Sequence, residues 1–118
     1  MESTIINLDS LGRLEGWGGQ KLVQEMIQLF LENAPGRMDQ IRTVLEDGGV
    51  DQPERGAHSL KSSAANLGAE HVRRIADEIE VAASAGEVHR VRELLPDLEE
   101  AFAAALKELE GMVQGSSQ

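Results

Sequence analysis

The stretch Ala57-His58-Ser59-Leu60-Lys61-Ser62-Ser63-Ala64-Ala65-Asn66-Leu67-Gly68-Ala69 sets one imidazole and one ammonium in a run of small and apolar residues. At about 100° per residue, Ala57, Leu60, Ala64 and Leu67 fall on one stripe, the spacing of a helix face turned toward a core. His58 lies on the opposite side. Its neighbours on the helix surface are Glu54 one turn before, Lys61 three residues on, Ser62 four on and Ala65 seven on, so nothing bulky follows it toward the C-terminus. Gly68 supplies the left-handed residue that ends such a helix.

An ordinary imidazole, with a pKa of roughly 6.5, is largely neutral at cytoplasmic pH and is a competent nucleophile. Standing clear of its helix above a shelf of small residues, His58 suits a phosphoryl acceptor that must enter another protein's active site. Phosphoryl transfer depends mainly on positioning and electrostatic stabilisation, and Lys61, one turn away, can meet phosphoryl oxygens as a point charge. A lone histidine or lysine on such a face is ordinarily a solvated surface residue. What favours the chemical reading is that the histidine, the lysine, the small residues and the Gly68-Ala69 terminator occur in register.

At these residues the chain resembles the histidine phosphotransfer (HPt) domains of bacterial and plant multistep phosphorelays, whose motif reads roughly His-x-Leu-Lys-Gly-Ser-x-x-x-x-Gly-Ala. The corresponding residues are His58, Leu60, Lys61, Ser62, Ser63, Gly68 and Ala69, and in looser form the resemblance extends from about Ile6 to Leu109. It implies that His58 is phosphorylated, that Lys61 lies beside it, and that the partner is a receiver domain whose aspartate and bound Mg2+ do the chemistry. Ser62 departs from the family's glycine. Its hydroxyl is placed to hydrogen-bond the phosphoryl group or to crowd the partner, which bears on transfer rate. Glu54, Arg55, Ser62, Ala65 and Gly68 are expected to support the site or flank its docking surface.

With 118 residues the chain is expected to be a single domain, ordered over about 6–112, with residues 113–118 as a disordered tail. It contains no cysteine, so disulfides and thiolate metal sites are unavailable, which fits a reducing compartment. No apolar run approaches the roughly 20 residues needed to span a bilayer, and Met1-Glu2-Ser3-Thr4 lacks the basic start of a signal peptide. A cytoplasmic monomer without membrane contact is expected. The formal net charge of -10 argues against nucleic acid, whose phosphate backbone is bound by clustered Lys and Arg. Trp17, Phe30 and Phe102 are the only aromatics, too few for a base-stacking platform. The late acidic residues Asp97, Glu99, Glu100, Glu108 and Glu110 read as a solvated face.

From the N-terminus, after Ile5-Ile6, Asn7 is placed to cap a short helix to about Glu15, with Leu8, Leu11 and Leu14 at helical spacing. Gly16-Trp17-Gly18-Gly19 is expected to end it, with Trp17 read as a packed lid in preference to a partner contact. A second helix from Gly19 or Gln20 carries Val23, Ile27, Phe30, Ala34, Met38, Ile41 and Leu45 on its core stripe. Leu22, Met26 and Leu29 widen that stripe and serve either to seat the first helix or to form part of a docking patch. Pro35 predicts a kink or break near Asn33 to Pro35, and Gly48-Gly49 the end of the segment.

Asp51 is placed to cap the His58 helix, with Pro53 in its first turn. The next helix, about Glu70 to Ala85, buries Val72, Ile75, Ala76, Ile79, Ala82 and Ala83 before Gly86. The last, about Glu87 to Met112, reads Val88, Val91, Leu95, Leu98, Phe102, Ala105, Leu109 and Met112 in steps of three and four, with Pro96, beside the seam, predicting a kink or a split of the first two turns from the rest. Short loops between these segments predict an all-α, antiparallel up-down four-helix bundle, with the short first helix capping one end.

The favoured function is a phosphorelay intermediate that accepts a phosphoryl group on His58 from a receiver aspartate and passes it to another. Such a chain is a carrier without turnover of its own, because an exposed nucleophile on a convex wall leaves the catalytic groups to the partner. The alternative is a helical adaptor that docks a signalling partner without phosphorylation, although an adaptor has no need of both His58 and Lys61 on one exposed face. An autokinase lacks its Gly-rich nucleotide loop. No cofactor is expected, and no metal, since only Glu54 stands at ligand spacing from His58. His71 and His89 read as surface residues.

Overall fold

Asn7 opens the first helix as expected: its Oδ1 accepts the Asp9 N–H at 2.8 Å. The computed structural model describes residues 6–46 and 49–116. Within them lie α1 (Leu8–Arg42), a 3-10 turn (Thr43–Leu45), α2 (Asp51–Leu67), α3 (Glu70–Ser84) and α4 (Val88–Ser116). The expectations for Ile5, for Gly48 and for the tail residues 117–118 fall outside the described residues.

Helix α1 is two arms. At Gly19 the backbone turns to φ 72°, ψ -169°, a conformation that glycine adopts without a Cβ penalty, so residues 8–18 form one arm and 20–42 the other. The break is where a new helix was expected, but the first arm does not stop at Glu15; it stays helical up to the break. Trp17 is therefore kept at a helical position, about 120° round from Leu11, outside the apolar sector that Leu11 and Leu14 turn to the core. It is 86% exposed and not a packed lid. Leu22 lies against Gly18 and seats the first arm: a Cβ on Gly18 would stand 2.7 Å from that of Leu22.

The long arm passes through Pro35 with helical backbone, so neither a break nor non-helical geometry marks that residue. Pro35 is exposed, which puts the carbonyl it leaves without a donor, that of Leu31, on the solvent side of the helix. Pro96, also exposed, is accommodated within the unbroken α4 in the same way. At the end of α1 the tightening to a 3-10 turn advances each residue further round the axis. Val44 is consequently buried, and Leu45, expected on the core stripe, is 58% exposed. Helix α2 begins at Asp51 itself. Val50 occupies the cap position without a side-chain hydrogen bond, and Asp51 and Glu54 act on the first turn through charge alone.

Helix α1 packs on α2, α2 on α3, α3 on α4, and α4 back on α1, giving an all-α bundle around one core. All the residues expected to be buried in α3 are buried, as are Val91, Leu95, Leu98, Phe102, Ala105 and Leu109 of α4, joined by Leu94. Helix α4 runs to Ser116, past the expected end at Met112, because Val113 still packs against the core. Phe30 and Phe102 meet across the α1–α4 seam with ring centroids 6.1 Å apart. Between the same two helices the Arg42 guanidinium grips Glu99 with both arms, Nε to Oε2 at 2.7 Å and Nη2 to Oε1 at 2.6 Å. That pairing pushes Arg42 further up and holds the Glu99 carboxyl below the usual carboxylate range.

Two glycines decide how α2 sits. Gly68 takes φ 77° and ends the helix, its N–H reaching back to the Ala65 carbonyl. The Asn7 backbone also presses on it: the Asn7 N–H donates to the Gly68 carbonyl at 2.7 Å, and a Cβ there would stand 2.6 Å from the Asn7 carbonyl oxygen. This contact fastens the capping arm of α1 to the end of α2. Gly56 brings α2 against α1, since a Cβ on it would stand 2.7 Å from the Arg37 carbonyl oxygen and 2.9 Å from the Gln40 Cβ.

Candidate functional site

With Ala57, Leu60, Ala64 and Leu67 all but fully buried, the opposite side of α2 is necessarily the outer wall. His58 stands on it with 64% of its side chain exposed, and Ser62 and Ala65, the two positions beyond it, are exposed as well. Helix α3 returns alongside α2 after the turn at Gly68-Ala69. Among the described residues three side-chain hydrogen bonds cross between them: His58 with Glu80, Lys61 with Asp77, and Glu54 with Ser84. The two members of each pair are equidistant from Ala69, the register of a helical hairpin closed at that residue.

His58 Nδ1 lies 2.7 Å from Glu80 Oε2. Lys61 Nζ lies 2.6 Å from the other oxygen, Oε1, and 3.3 Å from Asp77 Oδ1. Burial pushes the Glu80 carboxyl up, but Lys61 and His58 together outweigh it and hold the group below the usual carboxylate range. The contact with Glu80, helped by Asp77, outweighs desolvation and raises Lys61 above an ordinary lysine. An ionised carboxylate has no proton to donate, so the hydrogen in the contact with His58 belongs to Nδ1. The neutral ring is thereby held in the tautomer that leaves the Nε2 lone pair free.

The linkage has a sign. Glu80 is depressed in the folded state, so its contribution to stability is present above the ordinary carboxylate pKa and is lost as pH falls through its lowered value. Lys61 is raised, so its contribution is present below the ordinary lysine pKa and is lost as pH rises through its elevated value. Thermal melts across pH are expected to show the α2–α3 tie holding through the neutral range and weakening at both extremes. Glu80→Gln is expected to shrink the acid limb, to which the depressed Glu99 carboxyl also contributes, and a limb unaltered in that variant would mean that Glu80 is not one of its sources.

The other expected positions are distributed as follows. Glu54 accepts the Ser84 hydroxyl at 2.7 Å and so ties α2 to α3 without touching His58. Arg55 is exposed and lines, with Arg37, Gln40 and Asp51, a polar recess of about 640 Å³ on the N-terminal side of His58. On the other side a groove of about 400 Å³ runs between α1 and α2, with Met26, Leu29 and Asn33 facing Ser62, Ser63 and Asn66. Leu29 is 51% exposed. Of the three residues widening the α1 stripe, Leu22 thus seats the first arm, and Met26 and Leu29 line this groove. His71 and His89 are exposed; neither lies beside His58, and His89 is 3.6 Å from Glu93 on its own helix.

Sequence reasoning missed Glu80, Asp77, Ser84, Arg37 and Gly56. The first three could have been found by counting equal distances on either side of the Gly68-Ala69 turn. Arg37 and Gly56 carried no such signal, because they depend on how α1 crosses α2.

The same bundle is seen in solved structures of histidine-containing phosphotransfer proteins. Protein B of that kind from Pseudomonas aeruginosa PAO1 superposes with a TM-score of 0.87, at 21% identity over 96% of this chain and 97% of the other. A rice protein described as a candidate histidine-containing phosphotransfer protein superposes with a TM-score of 0.80, at 20% identity over 93% and 80% of the two chains. No curated protein sequence matches the chain significantly. The Hpt domain model matches residues 25–114, most of the length, and the chain belongs to that family. It is accordingly a histidine phosphotransfer intermediate of a phosphorelay, a carrier of phosphoryl groups whose family acts with receiver domains. No described helix is long and apolar enough to cross a membrane.

Proposed function

We propose that His58 is the phosphoacceptor, taking a phosphoryl group from one receiver aspartate and delivering it to another. The observation that carries this is the 2.7 Å contact of Nδ1 with Glu80, which orients an otherwise exposed ring and reserves Nε2 for phosphorus. In the forward step the Nε2 lone pair forms the N–P bond while the P–O bond of the receiver's acyl phosphate breaks, and the aspartate carboxylate leaves with the electron pair. Nδ1 keeps its proton, and Glu80 balances the positive charge the ring acquires. Delivery reverses these changes at a second receiver. Glu80 acts here as a positioning residue, and Lys61 meets the phosphoryl oxygens.

The ring's exposure on the outer wall supports a division of labour in which the receiver supplies the catalytic aspartate and Mg2+. The groove between α1 and α2 and the recess beside Arg55 flank His58 and would take the receiver's rim. The chain is proposed to act as a cytoplasmic monomer. Incubation with phosphorylated receiver domains, followed by detection of acid-labile label on this chain, tests the proposal. Receivers that bind without ever transferring label would leave a docking adaptor in its place.

Ser62 probes the docking face. One turn beyond His58, it meets either the phosphoryl group or the incoming receiver. Ser62→Gly is expected to lower stability by roughly 0.5 kcal/mol through helix propensity, with transfer equal or faster. Ser62→Leu should keep the fold, since the site is exposed, and slow transfer sharply. Timed transfer from one phosphorylated receiver to the three proteins decides the matter, and a leucine variant as fast as the parent would remove this face from the docking surface.

A further inference from the structure

Lys61, one turn beyond His58, is already engaged. Its Nζ stands 2.6 Å from Glu80 Oε1 and 3.3 Å from Asp77 Oδ1, with 29% of its side chain exposed. Two carboxylates therefore share one ammonium before any phosphoryl group arrives. Phosphorylation of the ring adds a charge of about -1.5 to -2 next to this cluster. The new oxygens then compete with Glu80 and Asp77 for the charge of this one ammonium. The two carboxylates are not equivalent. Glu80 also holds the ring, whereas Asp77 makes no hydrogen bond or ion pair other than that with Lys61 among the described residues.

We propose that Asp77 is a positioning residue that competes with the phosphoryl group for Lys61, and so biases the relay equilibrium away from phospho-His58 and toward the receiver aspartate. This rests on the reading of His58 as phosphoacceptor. Lys61, held by Asp77, stabilises the phosphorylated ring less than a free lysine does, and the chain becomes a strong donor that passes its phosphoryl group onward and retains little. The bond changes are those of the transfer step above; Asp77 alters only the energy of the phosphorylated state.

The test is the equilibrium distribution of label between one phosphorylated receiver, with Mg2+, and the purified chain. Asp77→Asn is expected to shift it toward phospho-His58 by about two- to fivefold, the range that a half-exposed ion pair supports. Asp77→Glu should stay near the parent, and the shift should vanish or shrink markedly when Asp77→Asn is made in a Lys61→Met background. An unchanged distribution in Asp77→Asn overturns the proposal, and so does a shift of equal size without Lys61, which would mark a general charge effect. Loading by phosphoramidate, a small-molecule donor, separates the two levels. If the parent loads His58 from phosphoramidate but from no receiver, the relay reading fails, while a higher load in Asp77→Asn than in the parent still supports competition for Lys61 and an equal load overturns it.

Discussion

His58→Gln is expected to abolish phosphoryl acceptance outright while changing stability by no more than about 0.5 kcal/mol, the usual range for a surface position. The two halves of this expectation have separate causes. Acceptance is lost because an amide nitrogen, its lone pair delocalised into the carbonyl, is no nucleophile toward phosphorus. Stability is kept because the ring is 64% exposed and its one firm contact, with Glu80, can be replaced by an amide N–H. Acid-labile labelling from a phosphorylated receiver, alongside a thermal melt, measures both. Label persisting on the variant, or found on His71 or His89, would refute the assignment, and a collapsed melt would show that the His58–Glu80 contact holds α2 and α3 together.

Phe102→Ala should act in the opposite way, destabilising the bundle by roughly 3 to 5 kcal/mol through the lost transfer energy of the ring and the cavity left behind. Phe102 is 6% exposed and meets Phe30 on α1, so its removal opens the seam at which the last helix closes the bundle on the first. Against a typical domain stability of about 5–15 kcal/mol this is a large fraction. The Arg42–Glu99 pair across the same seam does not compensate: its side chains are 38% and 37% exposed, and ion pairs so solvated contribute little while fixing geometry. A urea denaturation midpoint unmoved by Phe102→Ala would contradict this account of the seam.

The two predictions draw on parts of the molecule that were unequally legible. Helix periodicity placed Phe102 in the core and His58 outside it without any knowledge of the partner helices, because each follows from which face of its own helix it occupies. The same logic found the buried faces of α2, α3 and α4 and the left-handed stop at Gly68. It failed where a local signal was overridden by its surroundings. Pro35 and Pro96 did not break their helices, since their orphaned carbonyls lie on the solvent side. Leu45 left the core stripe when the chain tightened into a 3-10 turn, and Asp51 started its helix without capping it. Trp17 is exposed because the first arm stays helical past Glu15.

By itself, then, the sequence determined the helical periods, the left-handed stop at Gly68 and the histidine and lysine on one face of α2, since each depends on residues within a few turns of one another. Only the tertiary structure decided that Glu80 holds the His58 ring, that Asp77 shares Lys61, and that Gly56 lets α1 reach α2. Those contacts join residues on different helices, and their distances depend on crossing geometry and side-chain reach, which no single helical stretch encodes. The electrostatics of the site follow from the same cause: Glu80 is both partly buried and doubly paired because two helices meet there, and charges interact strongly only at such range and in such partial shelter from water.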